Sequence, residues 1–249
     1  MSSPPSARPS SRSAHHVPRA VLFDAYGTLF DVYSVGLLAE QLFPGQGERL
    51  AQAWRDKQID LTRLISLAGP GGEHYRPFWD LTRDALRHSA LRLGLALAPA
   101  DEDRLMNQYR HLSAFPENRE VLQALRERGV RAGILSNGDP EMLGVAVRSA
   151  GLGELIDPVI SVHTVRVFKT SPAAYALGPQ ALGLPAKDIL FVSSNGWDAA
   201  CATWFGYTTL WVNRSGGPLE PLGVQPTHTG SSLRDVLALF SAAAPSAPG

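Results

Sequence analysis

The chain has 249 residues, 44% of them apolar, enough to fill a substantial core and to argue against global disorder. Lys plus Arg and Asp plus Glu number 23 each, so the formal net charge is zero and nothing electrostatic calls for nucleic acid or an anionic membrane as partner. The one cysteine, Cys201, excludes an internal disulfide framework and a cysteine-based zinc site, and fits a reducing, cytoplasmic setting.

Met1 to Pro18 is rich in Ser, Pro and Arg, lacks acids and has no apolar stretch of the secretory type, so residues 1–18 read as a disordered leader. Ala20 to Phe23 is an apolar run delivering Asp24 into a Gly-containing turn, which suits a buried parallel strand. Residues 34–112 read as helical. Leu50, Trp54, Leu61, Leu64 and Ile65 fall on one helical face, Phe78 to Leu93 repeats the 3.6-residue period, and Gly69-Pro70-Gly71-Gly72 breaks the two apart. That stretch is too long for a simple crossover, so it is expected to be a cap inserted after the first strand. From Phe115 strand and helix alternate. Helix is expected over Pro116–Arg128, Asp139–Ala150, Ser171–Leu182, Trp197–Phe205 and Ser232–Ala242, and strand over Arg131–Leu135, Leu155–Val162, Ile189–Val192 and Thr208–Val212. The pattern predicts an α/β fold. A Rossmann-like parallel sheet core takes residues 19–33 and 113–241, the helical cap takes 34–112, and a flexible tail takes 242–249. No apolar run reaches the ~18 residues of a membrane span.

Three further polar clusters sit where strands should end. Ser136-Asn137-Gly138-Asp139 follows Gly133-Ile134-Leu135, and Lys169 lies in Val-Phe-Lys-Thr-Ser-Pro ahead of Tyr175. Ser193-Ser194-Asn195-Gly196-Trp197-Asp198 follows Ile189-Leu190-Phe191-Val192. The carboxyl ends of parallel strands face one way, so Asp24, Ser136 and the 193–198 loop can converge with Lys169 in reach. Singly, each has an ordinary reading: Asp24 a turn cap, Ser-Asn-Gly a turn, Lys169 a surface charge, Asp198 a helix N-cap. Their shared context, each cluster following an apolar run, is what points to a site.

That order resembles the haloacid dehalogenase superfamily, and within it the L-2-haloacid dehalogenases, over about Arg19 to Phe240. The resemblance implies a nucleophilic Asp24 with Thr28 beside it, and Ser136, Lys169 and Asp198 as the serine, lysine and acid of the later motifs. Phosphatases of the superfamily carry a second Asp two residues after the nucleophile, where this chain has Tyr26. Their last motif supplies paired acids, whereas this loop offers Asp198 alone. A hard divalent cation then lacks the oxygen ligands it prefers, so neither metal nor cofactor is expected. Phe43-Pro44-Gly45 followed by Trp54-Arg55-Asp56-Lys57-Gln58 is similar to the dehalogenase cap, with Arg55 as its arginine. The chain departs from many relatives in having Thr170 rather than Pro directly after Lys169. The Gly/Pro segment at 69–72 is expected to reshape the pocket.

The activity so implied is hydrolysis of short L-2-haloacids to D-2-hydroxyacids and halide through an ester on Asp24. Lys169 keeps Asp24 ionised, Thr28 holds it, and Arg55 with Asn137 and Trp197 cradles the departing halide. Ser136 and the backbone N–H groups after Asp24, at Ala25 and Tyr26, hold the substrate carboxylate, while Tyr26, Phe78 and Trp197 wall its alkyl group. Asp198, oriented by Ser193 and Asn195, activates the hydrolytic water, with Tyr175 in the same network. A homodimer is implied as well. Two other readings stay open at this point: a magnesium-dependent phosphatase of the same superfamily and a catalytically inactive carboxylate-binding module.

Overall fold

A computed structural model describes residues 17–240; the leader up to residue 16 and the tail from 241 lie outside the described residues. Six strands form one parallel sheet, β1 (Ala20–Phe23), β2 (Arg131–Ser136), β3 (Val159–Ser161), β4 (Ile189–Ser193), β5 (Thr208–Val212) and β6 (His228–Gly230), in the order β3-β2-β1-β4-β5-β6. The first strand is central. Phe23 lies opposite Ile134 on one side and Val192 on the other, and the Asp24 N–H extends the ladder by donating to Val192 O at 2.9 Å. Every residue of β1 and β4 is buried, which explains why these segments read as unbroken apolar runs rather than alternating ones.

Four helices follow the alternation downstream: α5 (Asn118–Glu127), α6 (Pro140–Ser149), α7 (Pro172–Leu182) and α8 (Gly196–Phe205) once the α1 (Gly36–Leu42), α2 (Gly47–Ala68), α3 (Phe78–Arg92) and α4 (Pro99–Arg110) helices between β1 and α5 are counted first. Helix α6 packs on β3, α7 on β2 and β3, and α8 on β4 and β5. Helices α2 and α3 pack along each other. The inward stripe of α2 contains Leu50, Ala51 and Trp54, then Arg55, Gln58 and Thr62. A helix that turns three polar side chains inward at i, i+3 and i+7 is aiming them at something other than a core.

Several expectations change in detail. Leu64 is 54% exposed, because it lies roughly 100° around α2 from the midpoint of Trp54 and Gln58, which mark the inward direction. The strand expected over Leu155–Val162 is confined to Val159–Ser161: Leu155 is spent in the turn after α6, its N–H donating to Leu152 O at 2.9 Å. The last helix is a 3-10 segment, Leu233–Phe240, whose Leu233, Val236 and Phe240 are buried, and it packs on α5; Ser241 and Ala242 lie outside the described residues. Strand β6 was not anticipated. His-Thr-Gly carries no apolar signal, and its register comes from pairing along β5, Leu210 opposite His228.

Candidate active site

The carboxyl edge of the sheet gathers the loops after β1, β2 and β4. Asp24, one residue past β1, is buried, and its loop turns back at Gly27, whose φ of +96° favours glycine. Asp24 Oδ2 accepts from Thr28 Oγ1 at 3.0 Å and from Asn195 Nδ2 at 2.9 Å, and Oδ1 accepts from Lys169 Nζ at 3.1 Å. Thr28 Oγ1 also accepts from the Ser194 N–H at 2.8 Å, which locks the β1 and β4 loops together. The carboxylate is thus held by three side-chain donors, from three separate segments.

Lys169 stands between two carboxylates. Its ammonium, 1% exposed, donates to Asp24 and, at 3.0 Å, to Asp198 Oδ2. Asp198 is fully buried in the first turn of α8 and takes Tyr175 OH on Oδ1 at 2.7 Å. Tyr175 is anchored in turn, its carbonyl accepting from Tyr207 OH at 2.6 Å. Burial opposes charge on Lys169, but the attraction of Asp198 and Asp24 outweighs it and holds the ammonium above the ordinary lysine range. Burial raises the Asp198 carboxyl above the usual carboxylate range, with Lys169 pulling the other way. Burial likewise holds the Tyr175 phenol well above its ordinary value, so it remains a neutral donor. Burial pushes the Cys201 thiol up to about 11, so the sole cysteine is no competing nucleophile at neutral pH.

Arg55 reaches in from α2. Its Nη2 donates to Tyr26 O at 2.9 Å and to Asn195 Oδ1 at 3.2 Å, and its Nη1 donates to Gln58 Oε1 at 2.8 Å. The Tyr26 ring lies among Tyr109, Phe78 and Phe30, with centroids 5.8, 5.6 and 6.4 Å away. Phe78 opens α3, where the Asp139 carboxylate receives its N–H at 3.0 Å and that of Trp79 at 2.8 Å. Gly138 lies so close to Tyr26 that a Cβ there would meet the ring at 2.6 Å. Ser136 Oγ accepts from the Gly138 N–H at 3.1 Å, and Asn137 Oδ1 accepts from the Lys169 N–H at 2.9 Å. Ala25, next after Asp24, is fully buried.

These groups enclose a cavity of about 10 Å³ lined by Asp24, Tyr26, Arg55, Phe78, Ser136, Asn137, Asn195 and Trp197, with Ile59 and Thr62 from α2. Larger grooves exist, one of about 800 Å³ along α2 and α3, but that groove contains none of the residues that hold Asp24 or Asp198. Chemistry, not volume, marks the site. The Gly/Pro segment at 69–72 does not line the cavity, contrary to expectation; Gly72 packs instead against Arg166.

The expectation for Asp198 needs correction. Ser193 and Asn195 do not orient its side chain: Ser193 Oγ accepts from the Asn195 N–H at 3.1 Å, and the Asn195 amide turns to Asp24, Tyr26 O and Arg55. Tyr175 and Lys169 hold Asp198 instead, and the N-cap of α8 is Asn195. Arg214 was missed. It donates to Ser194 Oγ at 2.7 Å, Thr28 O at 3.1 Å and Glu117 Oε1 at 3.0 Å, fastening the loop behind Thr28. It lies just past the apolar run Thr208–Val212, the same signal that singled out Asp24. Tyr109 and Thr82 also escaped notice, since the contacts that tie them to Gln58 are distant in sequence. The donor set does not suit a divalent cation. Lys169 Nζ fills the position between the two carboxylates, and among the described residues no group of three or more His, Cys, Asp or Glu could hold a metal ion.

Residues 18–206 match the model of the haloacid dehalogenase-like hydrolases. The chain is 42% identical to the (S)-2-haloacid dehalogenase of Pseudomonas sp. (strain YL), over 91% of this chain and 96% of that protein. The crystal structure of the L-2-haloacid dehalogenase RSc1362 superposes with a TM-score of 0.88 at 61% identity, covering 90% of this chain and 99% of that one. The L-2-haloacid dehalogenase of Xanthobacter autotrophicus, solved with chloropropionic acid covalently bound, gives a TM-score of 0.81 at 37% identity, covering 89% and 98%. The chain belongs to the haloacid dehalogenase-like hydrolase family.

Proposed function

We propose that this hydrolase cleaves the carbon–halogen bond of short L-2-haloacids, giving the D-2-hydroxyacid and halide. One observation carries the reading: Asp24 is aimed by Thr28, Asn195 and Lys169, and the same ammonium ties it to a second buried carboxylate, Asp198. The (S)-2-haloacid dehalogenase relatives and the covalent chloropropionate complex support the same chemistry.

Asp24 attacks C2 of the substrate from the side opposite the halogen. The C–O bond forms as the C–X bond breaks, the halide takes the electron pair, and the configuration inverts once. Arg55, with Asn137 and Trp197, faces the departing charge, where donors fixed in a dry site act most strongly. Ser136 and the backbone at Ala25 and Tyr26 receive the substrate carboxylate, and Tyr26, Phe78 and Trp197 cover the alkyl group. Halide needs no proton to leave, so an aromatic wall at Tyr26 can stand where phosphatases keep an acid. Water then adds to the Asp24 ester carbonyl as Asp198 removes its proton, with Lys169 supporting the negative oxygen. Collapse expels the hydroxyacid oxygen, which takes up that proton, and Asp24, now carrying one oxygen from water, returns to its carboxylate form by releasing the second water proton to solvent.

Residues 34–112 act in this proposal as a cap over a core of 19–33 and 113–241. A cavity of about 10 Å³ has room for roughly one water, so the cap helices must part from the sheet to admit substrate. A homodimer and a cytoplasmic location belong to the same proposal, supported by exposed leucines on the cap and by the sparse use of cysteine. The test is isotopic. A single turnover of L-2-chloropropionate in heavy-oxygen water should give unlabelled lactate, with label entering Asp24 and appearing in product only on later turnovers. Label in the first product would refute the ester. Asp24→Asn should release no halide, and EDTA should not slow the wild type.

A further inference from the structure

Gln58 sits one turn beyond Arg55 on α2, fully buried, with both ends of its amide hydrogen-bonded. Its Oε1 accepts from Arg55 Nη1 at 2.8 Å and from Tyr109 OH at 3.1 Å, while Nε2 donates to Thr82 Oγ1 at 2.6 Å. Thr82 spends its own proton on Phe78 O at 2.7 Å, so its oxygen can only accept from Gln58. That fixes which end of the amide meets the guanidinium. The other partners of Arg55, Tyr26 O and Asn195 Oδ1, are neutral oxygens too. Among the described residues no carboxylate pairs with Arg55, although it is only 7% exposed. A buried guanidinium held only by neutral oxygens keeps its full charge for an incoming anion, whereas a carboxylate at the same place would neutralise it.

We propose that Gln58 is a positioning residue for the leaving group: it aims Arg55 with a neutral oxygen, so that an undiminished positive charge meets the departing halide. This rests on the dehalogenase reading above. A merely structural Gln58, tying α2 to α3 and α4 through Thr82 and Tyr109, would affect all substrates alike. A positioning role makes its loss depend on the leaving group, since chloride relies on electrostatic help more than bromide does.

The experiment compares kcat/KM, which reports the steps through C–X cleavage, for L-2-chloropropionate and L-2-bromopropionate in the wild type and in Gln58→Glu. The chloro substrate should lose about tenfold or more and the bromo substrate no more than about threefold, an indirect effect smaller than deleting a donor outright. The disparity should shrink as pH falls and the introduced carboxyl takes up a proton. Thr82→Val, which removes the acceptor of Gln58 Nε2, should show the same sign at about threefold and serves if Gln58→Glu does not fold. Equal losses for the two substrates, or none, would overturn the proposal. Failure of the wild type to release either halide would overturn the dehalogenase reading instead.

Discussion

At the scale of single residues, Asp198 and its partners make the sharpest demands. If Asp198 is the base for ester hydrolysis, Asp198→Asn should release one equivalent of halide per site and stop, with the acyl group found on Asp24 by mass spectrometry. Burial raises the Asp198 carboxyl, so kcat should climb with pH through a limb displaced above the ordinary carboxylate range. Single-turnover halide release, which needs no base, should lack that limb; sharing it would remove Asp198 from the role. Lys169→Met should abolish turnover and cost roughly 3–5 kcal/mol by stranding two buried carboxylates. In that variant the Asp198 carboxyl, raised by burial and no longer opposed by Lys169, binds a proton more tightly folded than unfolded, so the thermal deficit should diminish as pH falls. Asp24, Lys169 and Asp198 were legible in the sequence because each follows an apolar run, or a short stretch of one, and matches a family motif. Tyr109 carries no such local mark, Gln58 stood only within the cap segment without a role of its own, and Arg214, though just past an apolar run, matches no motif. Their partners lie far along the chain, Tyr109 to Gln58 and Arg214 to Thr28, and only folding brings them together.

Among elements, the contact between Asp139 and α3 is the one to break. The side chain sits at the start of α6 yet receives the first N–H groups of α3, at Phe78 and Trp79. Asp139→Ala should cost about 1 kcal/mol, the usual worth of an N-cap, and lower Tm by about 2–4 °C. It should also raise KM, because Phe78 lines the cavity; an unchanged KM with a lower Tm would reduce the contact to simple capping. The four strands with strong apolar runs, β1, β2, β4 and β5, could be read from the sequence because strands buried on both faces need continuous apolar residues. Of the edge strands, β3 could be read but not its length, its expected first residues being spent in a turn, and β6 could not be read, being polar and owing its place to pairing with β5.

For the whole molecule, the exposed leucines matter most. Leu37, Leu64, Leu67 and Leu91, on α1, α2 and α3, are 77%, 54%, 80% and 81% exposed. Exposed apolar side chains on these three helices suit a partner surface, and the proposed homodimer supplies one. Sedimentation should give twice the 26.8 kDa mass of the chain, and Leu67→Asp should shift the equilibrium toward monomer. A monomeric wild type would leave those leucines unexplained and end the dimer proposal.

The ammonium wedged between Asp24 and Asp198 also sets how the protein should treat inorganic halide. At rest, Asp24 and Asp198 against Lys169 and Arg55 sum to no formal charge, so a free halide finds little reason to stay. Once the nucleophile is an ester the same four groups carry one net positive charge, and the halide just expelled balances it, leaving only the substrate carboxylate's own charge, as at binding. Neutralising residue 24 should imitate that state. Bromide, titrated against Trp197 fluorescence, should bind Asp24→Asn at least about tenfold more tightly than the wild type, as removal of one nearby like charge implies. Equal affinities would mean that halide escape is governed by the opening of the helices rather than by charge.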